Sequence, residues 1–168
     1  MSPVNATKHW VQDFVVRHAL CPFAARPMLE ERVRIIACEE VETEQIIRHF
    51  LSELLLLSEQ DAATLETSLI VYPKAWMAFD DFLAFIELCE ELLASAKADE
   101  LVQLAHFHPH YCFDQVADDA PSNRTNRSPY PVLQLIRVAS VAKARASYSE
   151  IEQIPERNIA LMQQLFGH

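Results

Sequence analysis

Apolar side chains along this chain alternate between helical spacing and short dense runs, with polar stretches between them. Trp10, Val11, Phe14, Val15 and His18 recur at helical intervals and predict a helix over Asn5–Ala19. Pro22 pushes the backbone of Cys21 out of the helical region, so that helix stops just before it. Ile46, Ile47, Phe50, Leu54 and Leu57 make one broad apolar face over Glu42–Ser58. Phe79, Phe82, Leu83, Ile86 and Leu93 do the same over Phe79–Ala96. Between these, Arg32–Cys38, Thr67–Tyr72 and Leu101–Phe107 are apolar runs of strand length, the second closed by Pro73.

Ser128-Pro129 reads as a helix start, with Ser as N-cap and Pro at the first helical position. It predicts a helix from Pro129 to about Ala146, and a last helix covers Pro155–Phe166. Three strands separated by helices imply right-handed βαβ crossovers. The expected fold class is therefore α/β: a compact, helix-rich sandwich around a small, mainly parallel sheet of three or four strands. Tyr111–Val116 is the candidate for a fourth, antiparallel strand. No repeat or linker divides residues 1–168, which read as a single domain.

An apolar fraction of 51% with 23% charged residues fits an ordered domain rather than a disordered chain. A net charge of −10 leaves no general basic face, so neither nucleic acid nor an anionic membrane is expected as a partner. Cys21, Cys38, Cys89 and Cys112 have no C-x-x-C spacing and suggest no disulfide framework, which favours a cytoplasmic location. Residues 1–10 lack the regions of a signal peptide, and the longest aliphatic run, Leu54–Leu57, is far too short to span a bilayer. The single glycine, Gly167, excludes the dinucleotide-binding G-x-G-x-x-G, the Walker phosphate loop and the G-x-S-x-G nucleophile elbow. Turns are left to Pro, Asn, Asp and Ser.

Candidate chemistry concentrates in Phe107–Arg137. In a parallel sheet, ligands bind beyond the carboxyl ends of the strands, here Cys38, Pro73-Lys74 and Phe107-His108-Pro109. His108 is the candidate general acid or base, because imidazole titrates near neutral pH; the competing reading is a hydrogen-bonded structural histidine. The loop that follows is about 20 residues long, a length that is usually functional or disordered. Within it, Arg127 can grip a carboxylate or phosphate in bidentate fashion, or pin the loop through Asp118 or Asp119. The amides of Ser128 and Tyr130, at a helix start, would add to an anion site. Arg137 lies between Ile136 and Val138 and needs a partner, from the protein or from a substrate.

Two further candidates carry less. His106, His110 and Cys112 alternate with His108 and are of zinc-ligand type, but Pro109 interrupts the strand and the spacing is uncommon in zinc sites, so no metal ligand is assigned. Cys21 sits at a helix carboxyl end, where the dipole raises a thiol's pKa. As a nucleophile it would need Arg17, Arg26 or a histidine beside it.

Three pieces of the chain, Leu20-Cys21-Pro22-Phe23-Ala24, Phe107-His108-Pro109 with Tyr111 and Phe113, and Asn126-Arg127-Ser128-Pro129-Tyr130-Pro131 followed by Arg137, resemble a family of bacterial proteins known as domain of unknown function 1415. The resemblance implies a small soluble bacterial protein and no particular activity. It singles out Cys21, His108, Asn126, Arg127 and Arg137. It also shows a departure: where the family resembles L-H-L-L-R-E, this chain has Leu133-Gln134-Leu135-Ile136-Arg137-Val138.

The functional expectation is an enzyme acting on a small anionic metabolite. His108 would move the proton, Arg127 and Arg137 would hold the anion with Ser128, Asn126 would orient substrate or loop, and Cys21 would be a rim residue or nucleophile. The alternative is a non-catalytic protein whose acidic surface binds a basic partner, or a zinc module. Neither a cofactor nor an oligomeric state can be read from these residues.

Overall fold

Val33–Ala37 (β1), Thr67–Val71 (β2), Val102–Phe107 (β3) and Val132–Arg137 (β4) form one sheet in the order β1-β2-β4-β3. The structure is a computed structural model and describes residues 1–167. β1 and β2 are parallel, in the register Val33↔Thr67 to Ala37↔Val71. β4 runs antiparallel to both its neighbours, pairing Leu69 with Gln134 and Ala105 with Gln134. The fold is thus mixed α/β, but the expectation of a mainly parallel sheet is corrected. No helical crossover separates β3 from β4, so the chain turns back and inserts β4 between β3 and β2.

The helix expected over Pro129–Ala146 is the source of that difference. Its first half is β4, and the helix α5 begins only at Val138, ending at Ser147. Ser128 is not an N-cap: its hydroxyl donates to the carbonyl of Tyr130 at 2.5 Å. The carbonyl of Pro131 accepts the amide of Tyr72 at 2.9 Å, so the proline-rich turn leads into the sheet. Leu133 and Leu135 are buried under the helices on one face of β4 and Val132 under Val11 on the other, so its apolar residues do not alternate cleanly. Tyr111–Val116 forms no strand.

Strand alternation divides the sheet into two faces. Thr43–Glu59 (α3) and Phe79–Ser95 (α4) cover one of them. Ile46, Phe50 and Leu57 from α3 and Phe82, Ile86 and Leu93 from α4 pack there with Ile70, Leu133 and Leu135. Burying the larger of these side chains stabilises the fold by ~1.5–3 kcal/mol each. Arg34, on the same face, holds the buried carboxylate of Glu53 with two bonds of 2.8 and 3.1 Å.

The other face is covered unevenly. Pro3–Trp10 (α1), capped by the Ser2 hydroxyl, continues as a π-helical turn over Val11–Val16. Val11 packs there on Leu69, Val71 and Val132. Ala25–Leu29 (α2), α5 and Ile154–Phe166 (α6) surround the rest of this face. No residue of α5 is buried.

With so little glycine, ordinary residues occupy left-handed backbone at Ala19, Glu31, Trp76, Lys97 and Gln115, rather than the Pro, Asn, Asp and Ser expected at turns. Lys97 ends α4 in a Schellman motif, the amide of Ala98 reaching Leu93 and that of Lys97 reaching Ala94. No helix among the described residues is long and apolar enough to cross a membrane.

Candidate functional site

Between α1, α2, α5, α6 and the half-covered face of the sheet lies a cleft of about 630 Å³. Its floor is made by the outward positions of the strands, among them Thr67, Leu69, Ala105, Phe107, Gln134 and Ile136. Trp10 closes one side, its ring edge-on to Phe107 with centroids 5.1 Å apart. Val141 and Ala144 of α5 face the floor from the opposite side. A concave, mostly apolar space of this size with a few polar groups is the usual form of a small-molecule site.

Two of the residues singled out in the sequence meet in this cleft. Cys21 lies on the turn that follows the α1 π-segment, and Asn126 ends the 3-10 segment Pro121–Asn126. The Cys21 turn is held from both ends. Leu20 is buried and its carbonyl accepts the side-chain Nδ2 of Asn158 from α6 at 2.9 Å, while Arg157 donates to the carbonyl of Ala19. The amide of Ala24 closes the turn on the carbonyl of Cys21 at 3.2 Å. Cys21 is exposed as a residue, yet its sulfur is crowded by the cleft wall, and lost hydration pushes the thiol pKa up. The amides of Phe23 and Ala24 pull it back in part.

His108, Arg127, Ser128 and Arg137 do not line this cleft. His108 is fully buried between Phe79 and Phe82 of α4. Its Nε2–H donates to the Trp76 carbonyl at 2.9 Å, and its Nδ1 accepts the amide of His110 at 3.0 Å. Both ring nitrogens are therefore occupied by backbone. Burial holds its pKa below the ordinary histidine value, with the Trp76 carbonyl opposing and His110 assisting.

Arg127 donates Nε to the Tyr111 carbonyl at 3.0 Å and Nη2 to the carbonyl and carboxylate of Asp118 at 2.8 and 3.2 Å. It pins the long loop. Arg137 spans the end of α3, donating to the carbonyls of Leu57, Gln60 and Leu65 at 2.7–2.9 Å through Nη2. A cation on the carbonyls of a helix carboxyl end is well placed for the helix dipole. His106 lies against Phe82 and Tyr111, and the Cys112 thiol donates to Val116. Among the described residues no three of His, Cys, Asp and Glu come together as a metal site.

The family described as "Protein of unknown function (DUF1415)" matches residues 2–167. The chain belongs to that family. No curated protein and no solved structure matches it. In this DUF1415 protein the three motif segments occupy different places around the sheet. The Cys21 segment and Asn126 face the cleft, whereas the His108 segment fastens the strand end behind them. The link between the two is short: the amide of His108 donates to the carbonyl of Asn126 at 3.2 Å.

Further residues complete the picture. Asn123 is fully buried and organises the long loop, accepting the amide of Phe113 and donating to the carbonyls of Ala117 and Asp118. Gln134, at the departure from the family pattern, donates to the Thr67 hydroxyl at 3.1 Å on the cleft floor. Arg26, Arg32 and Lys143 bring positive charge to the cleft against the single carboxylate of Glu66. Arg26 and Arg32 are paired with Glu30 and Glu66, while Lys143 has no ion-pair partner among the described residues. Only a correct assignment of β4 as a strand would have put Gln134 and Ile136 on one face with Leu69.

Proposed function

We propose that the protein binds, and as an enzyme acts on, a small anionic metabolite held in the cleft, with Cys21 and Asn126 in contact with it. The observation that carries this reading is the convergence of Cys21 and Asn126, far apart in the sequence, on one 630 Å³ cleft lined by more cations than carboxylates. Cys21 is the one thiol in that lining, and a nucleophilic role for it would require a bound substrate or neighbouring cation to lower its pKa. His108, Arg127 and Arg137 act as positioning residues in this reading: His108 and Arg127 fix the loop that carries Asn126, and Arg137 fixes α3. Neutral, cytoplasmic conditions suit such a thiol.

The test is a thermal-shift panel of mono- and dicarboxylates, phosphate and nucleotides. A ligand at 100 times its dissociation constant adds about 2.7 kcal/mol to stability. The reading expects a shift with an anion that vanishes in Asn126→Ala or Cys21→Trp and survives in Arg127→Lys. An anion whose stabilising effect persists in both cleft variants contradicts it.

A second reading, a non-catalytic protein that binds a partner through its surface, draws on α3. Leu51 and Leu55 stand one helical turn apart on its outer side, 41% and 58% exposed. It expects Leu51→Glu/Leu55→Glu to abolish association in sedimentation experiments, with no effect on small-ligand binding.

A further inference from the structure

An α-helix laid over a sheet normally buries its apolar stripe, because that burial is most of what holds it there. α5 does not. It carries Val141 and Ala144 toward the sheet, none of its residues is buried, and the floor opposite it contains Leu69, Ala105 and Ile136. Two apolar surfaces face each other across an open space where side chains would ordinarily interlock.

The helix is held at its ends instead. Its start is continuous with β4, through Arg137. Beyond its other end, Tyr148 meets Phe23 edge-on, ring centroids 5.8 Å apart, which ties the helix to the turn carrying Cys21. The charge of α5 is also one-sided. Lys143 and Arg145 are its only charged residues in a chain of net −10, and Lys143 lines the cleft without a carboxylate partner among the described residues.

From this arrangement we infer that the cleft takes an amphiphilic monocarboxylate, its hydrocarbon body filling the layer between α5 and the sheet and its carboxylate meeting Lys143. This deepens the small-anion reading above and rests on it. The hydrocarbon supplies the packing that α5 lacks, and burying it is favourable in proportion to the apolar area removed from water. The carboxylate supplies a partner for Lys143, which has none among the described residues. Thr67, Gln134 and Asn126 leave room for a polar group along the body, which is where a carbonyl or hydroxyl substituent would sit.

Decanoate, decanol and succinate, each titrated by isothermal calorimetry, separate the possibilities. Ala105→Trp fills the cleft from the floor, and Val141→Trp fills it from α5 should the first variant fail to fold. The expected result is one site for decanoate, lost in either filled variant and weakened about fivefold by Lys143→Ala, with decanol binding unchanged by Lys143→Ala. Succinate binding without decanoate binding overturns the amphiphile inference and leaves the small-anion reading standing. Decanoate binding that ignores both filled variants, or no binding of any of the three, overturns the inference and counts against the cleft itself.

Discussion

The Nε2 of His108 lies 2.9 Å from the carbonyl oxygen of Trp76, a residue whose own backbone is left-handed with φ 61°. With Nδ1 taken by the His110 amide, the ring has one tautomer open to it, protonated on Nε2 and neutral. A second proton would break the Nδ1 bond inside a buried site. This arrangement uses the imidazole as a two-ended strut between the Trp76 turn and the start of the long loop.

A pH dependence follows. The folded pKa of His108 is held below its ordinary value of 6.5 by burial, and that of His106 is lowered for the same reason. As pH falls through the ordinary value, the unfolded chain binds protons that the folded rings refuse. Stability is thus complete above about pH 6.5 and declines as pH falls toward the folded pKa values. Melting temperatures measured from pH 8 to 5 should drop below that point, and His108→Gln should flatten the drop. A profile that is level, or that rises on acidification, would show the rings to be accessible.

Asn123 and Arg127 hold the loop through different bonds, and their removal should differ. Asn123 is fully buried and bonds Phe113, Ala117, Asp118 and the Cys112 sulfur, so Asn123→Ala removes all four bonds and leaves the Phe113 amide without its partner, which should cost about 1–3 kcal/mol. Arg127 shares its charge with the exposed carboxylate of Asp118, a pair worth ~0.2–1 kcal/mol. Its bonds to the Tyr111 and Asp118 carbonyls matter more. Hydrogen exchange in residues 111–120 should rise sharply in Asn123→Ala and moderately in Arg127→Ala; equal effects would contradict this division.

Arg137 caps α3 by donating to three carbonyls, with no carboxylate among its partners. Arg137→Lys retains the charge but cannot fork, and should lose ~1 kcal/mol. Arg137→Met should lose about 2–3 kcal/mol. Urea denaturation measures both. A larger loss of ligand binding than of stability in Arg137→Lys would instead point to a direct role in the site.

The elements with one buried face were legible in the sequence. α3 and α4 show helical spacing because only one side of each meets the core, and the predicted Glu42–Ser58 and Phe79–Ala96 match Thr43–Glu59 and Phe79–Ser95 closely. β4 was not legible as a strand. With Val132 buried on one face and Leu133 and Leu135 on the other, Val132–Ile136 has no clean period-two signal, and the Ser128-Pro129 pair before it resembles a helix start although its bonds serve a turn. That single misreading made the sheet appear parallel and drew attention to the strand ends. The cleft depends on which face β4 presents, so Gln134 and Ile136 could not be grouped with Cys21. The competing roles considered for Arg127 included the loop-pinning contact with Asp118 that the geometry displays.

Thiol accessibility separates the four cysteines. Cys38 and Cys89 are buried, with Cys89 pushed up to about 12, and Cys112 donates its proton to Val116. Cys21 alone is exposed, though its pKa is raised by lost hydration. Iodoacetamide followed by peptide mass spectrometry should label Cys21 first, more slowly than a free thiol at neutral pH and faster as pH rises. Rapid labelling at pH 6 would mean an activated thiolate, and preferential labelling of Cys112 would mean that the loop opens.

The location of the ligand site is tested most directly by amide chemical shifts. Titrating uniformly ¹⁵N-labelled protein with decanoate should move the resonances of Cys21, Ala105, Asn126, Gln134 and Val141 together, with one dissociation constant. Shifts confined to residues 109–120, or to Leu51 and Leu55 on α3, would place the binding surface elsewhere and contradict the cleft.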